Sequence, residues 1–150
     1  MELFFSNINL SKSTMGSSIE PGKKYFLRIP DGGVVSQIHG RYTDDDVYIR
    51  PKDRENNRDY QKWEAVSSHG LFGFRSLRNQ KFLGSNNNGD LTAVAPYIRG
   101  WEEFYVDNED GRHHLALKKD DKWQTVDRAA YSDSLSLSDG SYVPIEFEPA

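Results

Sequence analysis

Leu71-Phe72-Gly73-Phe74-Arg75 leads into a polar turn, Arg78-Asn79-Gln80, and then into an apolar return at Phe82. The run is short, alternates apolar with small or charged residues, and lacks helical spacing, so it reads as one strand turning back into another. The same text occurs on both sides of it. Tyr25-Phe26-Leu27-Arg28 precedes Asp31-Gly32-Gly33 and Val34, and Leu115-Ala116-Leu117-Lys118 precedes Asp120-Asp121 and Trp123. In each copy an apolar side chain stands 8 residues before another: Phe26 and Val34, Phe74 and Phe82, Leu115 and Trp123.

Working outward, a third strand follows in every copy, at Val47-Tyr48-Ile49, Leu91-Thr92-Ala93 and Leu135-Ser136-Leu137. Asn87-Asn88-Gly89-Asp90 closes the hairpin before the second of these, where asparagine and glycine accept positive φ at little cost. A fourth strand carries aromatic-acid-apolar text: Trp63-Glu64-Ala65-Val66, then Trp101-Glu102-Glu103-Phe104, then Ile145-Glu146-Phe147. No 12-residue stretch combines helical periodicity with helix caps. Three units of four strands cannot each bury an apolar face alone, but around a common axis they close a barrel and remove its edges. The expected fold is therefore all-β, a β-trefoil. It forms one domain over 1–150, with units at about 20–66, 67–106 and 107–150. Residues at repeat positions, Phe26, Phe74, Phe82, Phe104, Phe147, Trp63, Trp101 and Trp123, are expected in the core. Ser6 to Ser18 is polar and reads as a flexible arm or an edge strand.

Composition narrows the chemistry. With 150 residues, 19 basic and 23 acidic, the net charge is −4 and no basic stripe suggests a nucleic-acid surface. The absence of cysteine excludes disulfides, thiolate metal sites and cysteine nucleophiles, and fits a reducing, cytoplasmic location. The N-terminus lacks the basic start and long apolar run of a signal peptide, and no segment approaches the roughly 18 apolar residues of a membrane span. Of the histidines His39, His69, His113 and His114, the adjacent pair points to opposite faces of a strand and cannot share a metal there. Asp44-Asp45-Asp46 lacks the alternation and closing glutamate of a calcium loop and reads as a solvated turn. There is no nucleophile elbow and no phosphate-binding glycine loop, so no cofactor and no catalysis are expected.

The stretch Phe74 to Gly84, followed by Gly89-Asp90-Leu91-Thr92-Ala93 and Gly100-Trp101-Glu102-Glu103-Phe104, resembles the fascin-type trefoil repeat, and Asp110-Gly111 through Lys118 continues the likeness. It covers about residues 70–137. The first unit departs from it, with Asp31-Gly32-Gly33-Val34 at the turn and a charged insertion from Pro51 to Tyr60. The resemblance implies the fold and an actin-binding, cytoskeletal role. The same fold and similar repeats occur in amaranthin-type and fungal lectins. Gln61-Lys62-Trp63 matches the ricin-type Gln-x-Trp once.

Candidate binding residues lie off the repeat register, in the loops between second and third strands: Asn86, Asn87, Asn88 and Asp90 in the second unit, Asp127, Arg128 and Tyr131 in the third, and Arg41, Tyr42 and Asp44 in the first. Amides and carboxylates pair with vicinal hydroxyls, and a tyrosine ring covers the apolar face of a sugar. The leading expectation is a non-catalytic carbohydrate-binding protein whose partners are glycans or glycoproteins, with no nucleic acid and no membrane insertion. The alternatives are a fascin-like actin-binding module, which as a lone domain needs a homodimer or two faces to bundle filaments, and a protease inhibitor using the Pro51–Tyr60 loop.

Overall fold

The computed structural model describes residues 19–30, 32–38, 45–54, 59–109, 112–130 and 132–150. The expected arm over Ser6 to Ser18, His39, and the candidates Arg41, Tyr42, Asp44 and Tyr131 lie outside the described residues. Within them the chain forms twelve strands: β1 (Lys24–Ile29), β2 (Gly33–Ile38), β3 (Asp46–Arg50), β4 (Trp63–Ser68), β5 (Leu71–Ser76), β6 (Phe82–Ser85), β7 (Leu91–Ala95), β8 (Phe104–Glu109), β9 (Arg112–Lys119), β10 (Lys122–Arg128), β11 (Leu135–Ser138) and β12 (Glu146–Pro149). Single 3-10 turns at Asp59–Gln61 and Gly100–Glu102 precede β4 and β8. No helix among the described residues is long and apolar enough to cross a membrane.

Six strands make a closed wall. β1 pairs with β4 and β12, β4 with β5, β5 with β8, and β8 with β9. The ring closes where the Ile145 amide donates to the His113 carbonyl over 2.9 Å. The other six strands form three hairpins, β2–β3, β6–β7 and β10–β11, and these meet one another in a cap. Asp46 pairs with Thr92, Asp90 with Ser136, and the Ile49 amide donates to the Asp133 carbonyl over 2.7 Å. Every strand edge of the wall is thereby covered.

The threefold repetition is visible in the core. Leu27, Phe74 and Leu115 occupy one position of β1, β5 and β9, and all are fully buried. Val35, Leu83 and Val126 repeat it on β2, β6 and β10, and Val47, Leu91 and Leu135 on β3, β7 and β11. Trp63, Phe104 and Ile145 lie against β1, β5 and β9 through the pairs Tyr25–Trp63, Phe72–Phe104 and His113–Ile145. Burying each such side chain stabilises the fold by roughly 1.5–3 kcal/mol.

Four sequence expectations are corrected here. Phe82 is buried outside the core cluster, beside Gly73, while its neighbour Leu83 enters it. Phe26 is buried but faces outward, outside the core cluster, with Lys52 Nζ 4.3 Å above its ring centroid. Its neighbour Leu27 is the inward residue, because strand side chains alternate and a one-residue slip changes the face. Trp123 is only partly buried; it pairs with Lys118 beyond the position where Val126 enters the core. The turns joining first to second strands differ in length, so a constant offset of 8 along the chain does not mark a constant place in the barrel. Trp101 is not the counterpart of Trp63. It lies on the 3-10 turn and is partly buried, and Phe104 takes that place.

Candidate functional site

Of the loop residues singled out in the sequence, the structure brings some together and uses others as fasteners. The Asn86 Oδ1 accepts from the amides of Asn88 (2.9 Å) and Asp90 (3.0 Å), which fixes the β6–β7 turn. Lys119 reaches from β9 and donates to the carbonyls of Asn86 (2.9 Å) and Asn87 (3.0 Å). The side chains of Asn87 and Asn88 are exposed at the tip. Asn86 and Asp90 line a recess of about 320 Å³ at the cap, with Asp46 and Tyr48 of the first unit and Ser132 and Ser134 of the third. Its one ring, Tyr48, carries the Arg50 guanidinium 5.0 Å from the centroid.

Asp127 and Arg128 are drawn away from that recess. Asp127 accepts from its neighbour's amide and from the Ser141 hydroxyl, both at 2.8 Å. Arg128 Nη2 donates to Asp133 over 2.9 Å, and its guanidinium lies over the β1–β2 turn at Gly32. The Pro51–Tyr60 insertion is pinned at both ends. The fully buried Gln61 accepts from the Asp53 amide (2.8 Å) and donates to the Pro51 carbonyl (2.9 Å) and the Ser36 hydroxyl (3.2 Å). With Trp63 Nε1 donating to the Val35 carbonyl over 2.9 Å, the Gln-x-Trp element holds a loop to a hairpin.

A larger recess, about 520 Å³, lies where β7 leaves the cap and the chain turns into β8. Tyr97, Arg99, Trp101 and Glu102 line it, with Pro96 and Gly100 between them. Tyr97 is 70% exposed, the most open large apolar side chain among the described residues. Glu102 takes the place that Gln61 holds in the first unit: its Oε1 accepts from the Arg99 amide over 2.8 Å, as Gln61 does from Asp53. Gly84 leaves room for it, since a Cβ there would lie 2.7 Å from Glu102 Cγ. Burial pushes the Glu102 carboxyl above the usual carboxylate range, aided by the like charge of Glu103, while the bond and charge of Arg99 pull the other way. Lys119 Nζ stands 4.6 Å from the centroid of the Trp101 ring, so one amine links this indole to the Asn86 turn.

A third recess, about 430 Å³, shares Gly100 and Trp101 with the second and extends to Lys118, Asp120, Asp121 and Trp123. Asp120 and Asp121 form the β9–β10 turn with φ of 56° and 62°, a left-handed pair that sets both carboxylates at its tip. Trp123 packs edge-on against Tyr105, with centroids 6.1 Å apart. Glu103 lines the wall and accepts from Ser68 (2.7 Å) and His69 (2.8 Å). The His69 bond, helped by the Ser68 bond, holds its carboxyl below the usual range against an opposing effect of burial that is weaker than the first bond and stronger than the second. Among the described residues no group of histidine, aspartate and glutamate has the arrangement of a metal site.

Tyr97, Trp101 and Trp123 were not among the sequence candidates. The signal for Trp101 was available: Trp63, Phe104 and Ile145 are evenly spaced, 41 residues apart in both intervals (104 − 63 and 145 − 104), which leaves Trp101 off register.

No family model matches the chain, and no curated protein matches it significantly. Solved structures do. The ricin B-like lectin of Macrolepiota procera, in complex with lactose, superposes with a TM-score of 0.68 at 12% identity, over 89% of this chain and 99% of that one. ThreeFoil, a designed protein of threefold symmetry, gives 0.62 at 13% identity, over 85% and 99%. A GlcNAcα1-4Gal-releasing endo-β-galactosidase from Clostridium perfringens gives 0.70 at 12% identity, over 85% of this chain and 32% of the enzyme. The architecture is the β-trefoil. At these identities the likeness defines the fold.

Proposed function

We propose that this protein binds carbohydrate, without catalysis, in the recess of Tyr97, Arg99, Trp101 and Glu102. The observation that carries the reading is the Tyr97 ring, left 70% exposed at the rim of the largest of the described recesses, beside a partly open indole. A pyranose has one face of C–H groups and a rim of hydroxyls. An aromatic ring covers the first, and a guanidinium with nearby backbone groups serves the second. The cap recess at Asn86 and Asp90 has suitable polar groups, but Arg50 lies over its only ring, which makes it the weaker platform. Glycoside hydrolysis in most such enzymes uses a pair of carboxylates across the scissile bond. This recess contributes one, and Glu102 holds the Arg99 amide with it. The lactose complex of the Macrolepiota procera lectin supports the reading by analogy of fold.

A glycan array tests it. The expected outcome is binding to a subset of sugars that Tyr97→Ala abolishes while the thermal midpoint holds. Silence across the array, together with co-sedimentation with actin filaments, would replace this reading with the cytoskeletal one.

A further inference from the structure

Two recesses share Gly100 and Trp101, and their outer ends carry different aromatics: Tyr97 on one side, Trp123 on the other. The space beside Gly100 is open: a Cβ built on it meets nothing within 4 Å. We infer that the site is extended, and that its ligand is an oligosaccharide spanning both recesses, neutral or amino-bearing. This rests on the carbohydrate-binding reading above.

Size and charge carry the inference. The recesses, about 520 and 430 Å³, each fall in the range of a small-molecule site, so together they exceed the needs of one sugar ring. Each has an aromatic side chain of its own besides the shared Trp101, and successive aromatics suit successive rings of a chain. The Trp123 recess is lined by three carboxylates, Glu103, Asp120 and Asp121, against Lys118 in its lining and Lys119 over the shared Trp101. A uronic or sialic carboxylate placed there meets like charge, whereas a neutral or amino sugar does not. The Asp120–Asp121 turn keeps two carboxylates at positions where glycine or asparagine would adopt positive φ more easily.

The experiment is a glycan array carrying neutral chains of one to six residues with their sialylated counterparts, followed by calorimetric titration of the best monosaccharide and the best chain built on it. The chain is expected to bind about threefold to tenfold tighter than the monosaccharide. Trp123→Ala should remove that increment and leave monosaccharide affinity unchanged. The double variant Asp120→Asn/Asp121→Asn, which suits the left-handed turn, should narrow the gap between neutral and sialylated chains. Binding that is indifferent to chain length and to Trp123→Ala overturns the extended site but leaves the carbohydrate reading standing. Preference for sialylated chains overturns the charge argument, and silence across the array overturns both readings.

Discussion

The His114 ring lies flat on Tyr142, with centroids 4.0 Å apart and an interplanar angle of 14°. The same outward position of the first strand is covered in the other units by the same connection. Lys52 lies over Phe26 in the first, and Ile98 lies against Gly73 in the second, where a Cβ would come within 2.5 Å of the isoleucine Cδ1. The three pairs share a place and share no chemistry. The segment between third and fourth strands is thus held to the barrel by a different contact in each unit, and its far side differs as well. That far side in the second unit is the Tyr97–Trp101 recess.

Tyr97→Ala is expected to remove sugar binding with little change in stability, because the side chain is 70% exposed and surface changes of this kind cost within about 0.5 kcal/mol. Calorimetric titration alongside thermal unfolding measures both. A large drop in midpoint would assign the ring a structural role.

Gly33→Ala is expected to be severe. Gly33 has φ of +110°, and a Cβ there would stand 2.3 Å from the Arg50 carbonyl oxygen, a backbone atom that cannot turn aside. The cost is expected to be about 3 kcal/mol or more, read as a fall in the urea midpoint. Gly22→Ala is the control: its φ is also positive, yet nothing lies within 4 Å of the added carbon.

Glu102→Gln is expected to stabilise the protein at neutral pH. The carboxyl is raised by burial, so the folded state holds its proton longer than the unfolded chain. That contribution is full below the ordinary value near 4.5 and is lost as pH rises through the folded value. Glutamine fills the equivalent place in the first unit as Gln61, fully buried and satisfied. Thermal midpoints should therefore diverge in favour of the variant at pH 7 and converge near pH 4. Equal midpoints at both would show that the charge is not felt.

His113 gives the opposite sign. Burial lowers it below the ordinary 6.5, against weaker opposing effects of Asp107, so the folded state prefers the neutral ring. This stability is present above 6.5 and is lost as pH falls through the folded value. The ring faces inward against Phe147, 5.6 Å between centroids. His113→Leu should flatten the fall in urea midpoint below pH 6.5; an unchanged slope would point to another group.

Period-2 patterning and turn chemistry are local properties, so the chain alone disclosed the first and third strands of each unit, the latter at Val47, Leu91 and Leu135. It also placed His113 and His114 on opposite faces, for the same reason. What it left open was decided by tertiary structure. Phe26 against Leu27 differs by one residue, and only the pairing with neighbouring strands says which faces inward. Trp101 and Trp123 share composition with core residues, but the 3-10 turn before β8 sets the first, and the short β9–β10 turn the second, at a surface recess. Asp127 and Arg128 had the chemistry of a binding loop and were claimed by Ser141 and Asp133, partners that the fold alone brought near. A side chain's type sets what it can bind; long-range packing settles whether it is already bound.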